Sequence, residues 1–155
     1  MRPMILLFAL VLLLGAALQP QANDGAVVYI PAVQVMANFA KGVPMVEVGD
    51  YKIHASRREG PGMAEIHTRD TDIAYVIRGS ATLVTGGTAV DVKEIGPEEL
   101  RGSAIQGGET RQLQVGDVVV IPNGVPHWFK EVQAPFLYYV VKVRQAGRET
   151  AKGAM

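Results

Sequence analysis

Short apolar runs rich in β-branched residues recur along the chain from Val27 onward, and glycine, proline and other turn formers separate them. Such runs are typical of strands that place alternate side chains in a core, and their close spacing favours an all-β domain. Residues 32–40 instead carry apolar side chains at helical spacing between Pro31 and Gly42. We therefore predict many short strands and one short helix near the N-terminus.

The predicted strands share this composition and are bounded by turn residues. They cover residues 27–30, 45–48, 51–58, 63–67, 72–78, 81–85, 89–95, 110–115, 118–121, 125–132 and 135–143. The pair Gly79-Ser80 predicts a hairpin turn, and residues 96–108 form a turn-rich insert that could be helical at residues 97–100. About ten short strands at this spacing indicate a sandwich or a closed barrel.

The first residues have the pattern of a secretory signal peptide. Arg2 supplies a positive start, residues 4–14 are an unbroken apolar run, and small residues follow. A membrane span needs about 20 apolar residues, so this run is short for one, although an uncleaved anchor is the alternative. We predict a signal peptide over residues 1–22, with cleavage after Ala17 or Ala22, and a periplasmic or secreted protein. Residues 23–145 would then form the domain and residues 146–155 a polar tail.

Composition excludes several classes of function. The formal net charge is zero and no basic run occurs, so nucleic acid is not expected as a partner, and no membrane contact is expected after signal cleavage. The chain has no cysteine, which excludes disulfides and a thiol nucleophile. It also lacks the Gly-x-Ser-x-Gly pattern of a serine nucleophile and the glycine-rich patterns of nucleotide sites.

The most specific motif surrounds one histidine. Gly116, Pro122, Gly124 and His127 have the spacing Gly-x5-Pro-x-Gly-x2-His, which places a tight turn between two strands and the imidazole just after it. This arrangement resembles the second sequence motif of the cupin superfamily. That motif commonly ends in Asn four residues after its histidine, where this chain has Glu131.

A degenerate form of the first cupin motif lies upstream. Its usual form has two histidines separated by one residue, then a glutamate, then a glycine seven residues later. Here Gly79 fits the glycine, Asp72 stands at the glutamate position, His67 fits the second histidine, and Glu65 stands at the first. The resemblance implies a single conical β-barrel, the double-stranded β-helix or jelly-roll form, with the site inside its wider mouth.

The resemblance also implies which residues meet. Glu65 and His67 are two apart and share one face of their strand, and the cupin pattern places Asp72 and His127 opposite them. Two imidazoles and two carboxylates suit a divalent transition metal such as Fe, Mn, Ni, Cu or Zn. Glu65, His67, Asp72 and His127 are therefore the predicted metal ligands, and Glu65 is also the predicted catalytic residue, which would move a proton.

Two hypotheses about function follow. The first is an exported cupin that binds a metal and a small polar molecule, for example as a metal-dependent oxygenase or isomerase. The second is a non-catalytic sensor or ligand-binding module without a metal, which the incomplete first motif favours. We also predict a homodimer, because the strands at residues 27–30 and 135–143 would otherwise leave exposed edges.

Overall fold

A computed structural model describes residues 25–145 of the chain. The predicted signal peptide and the whole of the predicted tail lie outside the described residues. The helix α1 spans Ala32–Lys41, one residue beyond the prediction, and ends at Gly42, whose φ of 66° lets its N–H bond to the Asn38 carbonyl. No helix within residues 25–145 is long and apolar enough to cross a membrane.

Within the described residues, eleven antiparallel strands follow the helix. They are β1 Pro44–Glu47, β2 Tyr51–Arg58, β3 Ala64–His67, β4 Asp70–Thr85, β5 Thr88–Val90, β6 Lys93–Gly96, β7 Glu99–Gly102, β8 Ala104–Gln106, β9 Glu109–Leu113, β10 Val118–Ile121 and β11 His127–Arg144. Nine of them form one sheet and β5 pairs with β8 in a second. The predicted fold class, an all-β jelly-roll barrel with one short helix, is confirmed.

Two long strands organise the sheet. β4 and β11 pair along almost their whole lengths, with Asp70 opposite Arg144 at one end and Thr85 opposite His127 at the other. Four further strands pair directly with these two: β2 and β3 pair with β11, and β9 and β10 pair with β4. The register of β4 against β11 therefore determines which side chains face one another inside the barrel.

The hydrophobic core lies between the two halves of this ribbon. It contains Val76 and Leu83 from β4 together with Phe129, Phe136 and Tyr138 from β11, and the aromatic rings of the last three have centroids 5.1–5.6 Å apart. A second cluster forms outside it, where Phe39 of α1 packs against Tyr139. The helix thus covers part of the outer face of the sheet.

Several predicted boundaries are wrong. The hairpin at Gly79-Ser80 does not exist, since β4 continues through it, and the two strands predicted at residues 125–132 and 135–143 are the single strand β11. Gly79 has a φ of 78° and lies opposite an irregular part of β11. Its positive φ is therefore part of a β-bulge within the strand pair and not of a turn. The run predicted at residues 89–95 is divided between β5 and β6, and residues 97–100 form a turn and the start of β7 instead of a helix.

The two segments from which we predicted a homodimer do not form exposed edge strands. Residues 135–143 lie at the centre of the sheet, because β11 pairs with β2 on one side and β4 on the other. Residues 27–30 are extended without strand pairing; Val28 and Ile30 pack on the Phe39 cluster while Val27 and Tyr29 are exposed. The edge argument therefore does not hold for either segment, and the homodimer stays a prediction.

Candidate metal centre

Three strands bring the predicted site residues together. Glu65 and His67 lie on β3, Asp72 lies on β4, and His127 is the first residue of β11. His127 is paired directly with Glu65, and the N–H of Gly124 donates to the His67 carbonyl at 2.8 Å. The turn before β11 is thereby attached to β3, which holds the second motif against the first.

The donor atoms of these side chains converge on one point. The Nε2 atom of His67 lies 3.6 Å from Glu65 Oε2 and 3.5 Å from Asp72 Oδ2, and the Nε2 atom of His127 lies 3.9 Å from the same two oxygens. One donor atom each from Glu65, His67 and His127 falls within a mutual distance of 4.8 Å. Donors about 2.1 Å from a tetrahedral ion are about 3.4 Å apart, so these separations fit a single divalent ion.

Both imidazoles direct Nε2 at this point. Nδ1 of His127 lies 3.1 Å from the Val125 carbonyl, to which it donates its proton, so the lone pair is on Nε2. Nδ1 of His67 lies 3.8 Å from a Glu99 carboxylate oxygen, and its Nε2 is buried without a hydrogen-bond partner. A metal-binding histidine commonly has its other nitrogen beside a carbonyl or carboxylate in this way.

Cationic side chains hold both carboxylates. Arg58 donates to Glu65 at 2.7 Å, and Arg101 lies 3.5 Å from the other Glu65 oxygen. Lys142 donates to both oxygens of Asp72 at 2.8 Å. Asp72 therefore lies beside both imidazoles but outside the three-residue donor group, with its charge already balanced by a lysine.

These contacts and burial shift two pKa values. Burial alone would raise the pKa of Glu65, but the nearby His67 imidazole and the charges of Arg58 and Arg101 outweigh it, so the pKa lies well below its usual range. Burial lowers the pKa of His127, against the Val125 carbonyl and the carboxylates, which raise it. At neutral pH Glu65 is thus ionised and His127 neutral, the states in which both bind metals.

The three donors line a cavity of about 420 Å³. All three histidines of the chain line it, including His54 of β2, whose Nε2 atom is buried without a hydrogen-bond partner. Arg58 crosses one wall, donating from Nε to the Tyr138 hydroxyl at 3.0 Å, with its guanidinium carbon 4.4 Å from the centre of the Phe129 ring. The cavity wall therefore combines charged groups with aromatic rings.

The sequence motifs indicate the four residues around this point but none of the cations. Arg58, Arg101 and Lys142 are not among the residues predicted from the sequence, and all three are largely buried beside the carboxylates. One signal was present in β2, where Lys52, His54, Ser56 and Arg58 alternate and all line the cavity. Glu131 lies elsewhere, where it accepts a hydrogen bond from Thr82 at 2.9 Å.

Comparison with known proteins bears on the fold and the family. A sequence model of the cupin family, described as "Cupin", matches residues 51–154, which include all four predicted site residues. Comparison with curated proteins gave no match.

Solved structures with a similar fold include a Bacillus halodurans protein, with a TM-score of 0.56, 12% identity, and coverage of 80% of this chain and 86% of that one. Hydroquinone 1,2-dioxygenase from Sphingomonas sp. TTNP3, solved with 4-hydroxybenzoate bound, gives a TM-score of 0.49 and 16% identity over 68% of this chain and 66% of the dioxygenase. A cupin protein from Bacteroides fragilis gives 0.41 and 13% over 70% and 75%. At 12% identity the likeness to the Bacillus halodurans protein shows a shared fold.

Proposed function

Because this chain belongs to the cupin family, we propose that it is an exported protein that binds one divalent transition metal and a small polar molecule in the same cavity. Glu65, His67 and His127 would hold the ion. The observation that carries the proposal is the unpartnered Nε2 atom of His67, buried within reach of two further donors. A buried polar atom without a partner is unfavourable, and an ion at this point would satisfy it.

The charges of the three ligands suit this role. Glu65 is ionised and the imidazole of His127 is neutral at neutral pH, so neither ligand must lose a proton before binding. A bound ion would supply Lewis-acid chemistry and, for Fe, Mn or Cu, redox chemistry. That chemistry is compatible with an oxygenase or an isomerase, and the fold itself does not choose between them.

The geometry favours Glu65 as a ligand over Glu65 as a proton carrier. The cations Arg58 and Arg101 lower its pKa, which makes the carboxylate a weak base and leaves it without a proton to donate. The Tyr138 hydroxyl also lines the cavity, and burial raises its pKa, so it remains protonated. If the protein is an enzyme, the Tyr138 hydroxyl retains a proton that it could donate to a bound molecule, whereas the Glu65 carboxylate does not.

A second function, a metal-free binding or sensor module, is favoured by one specific observation. Lys142 and Arg58 already neutralise Asp72 and Glu65, so the cavity does not require an ion to balance its carboxylates. The two functions differ in a directly measurable quantity, the metal content of the purified protein.

Elemental analysis of protein purified without an affinity tag tests the proposal. We expect close to one equivalent of a transition metal in the wild type and less than a tenth of that in His67→Ala and His127→Ala. His54→Ala, which changes the same cavity away from the donor group, should retain the metal. Folded wild-type protein that neither contains nor takes up Mn, Fe, Ni, Cu or Zn would favour the metal-free module.

Export and assembly have separate tests. N-terminal sequencing of protein recovered from the periplasm or medium should give a start at residue 18 or 23, as the two predicted cleavage positions require. Recovery of the intact N-terminus in the membrane fraction would favour an uncleaved anchor. Light scattering at micromolar concentration should give twice the mass of the chain, and a monomer would contradict the predicted homodimer.

A further inference from the structure

Two buried hydrogen-bonding atoms in the cavity have no partner and are not needed for a metal. They are Nη1 of Arg101 on β7 and Nε2 of His54 on β2. A guanidinium nitrogen can only donate a hydrogen bond, so its missing partner must be an acceptor. Because buried donors are rarely left unsatisfied in native proteins, a bound molecule carrying acceptor oxygens would complete the cavity.

The charge of the cavity wall shows which sign of ligand it favours. Five cationic side chains line it against four carboxylates, Glu65, Asp70, Asp72 and Glu99. Two of the cations, Lys52 and Arg57, are already paired with Glu47 and Glu59. Three cations therefore remain to face the four carboxylates, and a divalent ion would bring the sum to one positive charge. Burial strengthens electrostatic interactions, so with the ion bound the cavity favours an anion over a neutral molecule of the same shape.

Arg101 lies beside the metal centre, where it would contact such an anion. Its Nη1 atom is 3.5 Å from Glu65 Oε2, the oxygen that also faces both imidazoles. Its Nη2 atom is held by Glu99. The guanidinium is thus held by Glu99, while Nη1 lies beside Glu65 without a hydrogen bond and remains a buried donor for a ligand. Planar guanidinium groups bind carboxylates with favourable geometry.

Part of the wall is apolar. It consists of Ala74, Ile121, Phe129 and Val140. A cavity of about 420 Å³ is at the small end of ordinary ligand sites, which span about 300–1,000 Å³. A ligand that matches both surfaces has an anionic group at one end and a short hydrocarbon or aromatic body.

We propose that the small molecule bound in this cavity is an organic acid in its carboxylate form, and that Arg101 receives the carboxylate. The proposal rests on the proposed small-molecule site and specifies its substrate class. It does not depend on which metal is bound.

Isothermal titration of the full chain as purified, at pH 7.5 and constant ionic strength, tests this assignment. The probes are acetate, malonate, succinate and benzoate, the corresponding primary amides, and inorganic phosphate. We expect at least one acid to bind ten times or more tightly than its amide. Arg101→Gln should weaken the binding of that acid at least tenfold, and Arg101→Lys should weaken its binding less. Arg111→Gln removes an exposed cation of β9 that is paired with Glu109. This control variant should bind every probe with the affinity of the wild type.

The comparison of acid with amide uses the wild type and so does not depend on whether a variant folds. Equal binding of acids and amides would overturn the anionic assignment while leaving the small-molecule site intact. Tighter binding of phosphate than of every acid would also overturn it, as would the absence of binding by every acid. Metal content measured on the same samples separates these results from a failure of the metal centre.

Discussion

Replacing Lys142 by methionine should leave the Asp72 carboxylate buried without its partner. Lys142 Nζ lies 2.8 Å from both Asp72 oxygens, and the two side chains are only 16% and 9% exposed. Methionine keeps most of the hydrocarbon stem, so the change removes the charge with little loss of packing. Breaking a buried ion pair from one side costs about 3–5 kcal/mol. Because Lys142 is partly exposed, we expect about 3 kcal/mol, a large share of a typical domain's stability of about 5–15 kcal/mol.

Urea unfolding in the presence of a chelator measures this cost in the metal-free protein. The set is the wild type, Lys142→Met, Asp72→Asn and the double variant, all at pH 7.5. Removing both charges leaves no unpaired ion, so the double variant should recover most of the loss, and the coupling energy of the cycle should be about 2 kcal/mol or more.

The same substitution should act in the opposite direction on metal binding. Without Lys142, Asp72 is a free carboxylate within 4 Å of both imidazole Nε2 atoms. We expect Lys142→Met to bind Zn²⁺ or Mn²⁺ at least tenfold more tightly than the wild type, and the ion to restore its stability. A loss of stability below about 0.5 kcal/mol with no coupling to Asp72 would refute the reasoning, since solvent-screened pairs behave that way.

Two further predictions concern the backbone and pH. Gly79→Ala should cost at least about 2 kcal/mol in urea unfolding, because the φ of 78° is unfavourable for alanine and the new Cβ would lie 2.7 Å from the Gln133 carbonyl oxygen. Burial, with the charges of two lysines, lowers the pKa of His54, so the unfolded chain binds more protons than the folded one below the ordinary histidine pKa of about 6.5. Stability should therefore fall as the pH is lowered from 7.5 to 5.5, and His54→Gln should flatten part of that fall.

Each of these has a matched control. Gly86→Ala has a similar φ of 74° but nothing within 4 Å of its new Cβ, so it should cost only about 1–2 kcal/mol. Equal losses in the two glycine variants would show that the close approach to Gln133 is unimportant. An equally steep pH dependence in His54→Gln and the wild type would contradict the role given to His54.

The fold could be predicted in class but not in its longest elements. Alternating apolar residues identified most strands, and the pattern around residues 32–40 identified α1. The glycine at position 79, however, is compatible with a turn and with a bulge, because both need a positive φ. Only the pairing of β4 with β11 decides that the strand continues.

The candidate site, too, could be predicted from the sequence only in part. The spacing of Glu65 and His67, two residues apart on a strand, and the turn before His127 are local properties, and the sequence by itself determined them. The contacts of Arg58, Arg101 and Lys142 with the carboxylates depend on the registers of β7 against β3 and of β4 and β2 against β11. Lys142 and Asp72 are 70 residues apart. Local sequence governs backbone preference and side-chain alternation over a few residues, whereas the charge balance of the cavity is a property of strands that meet only in the tertiary structure.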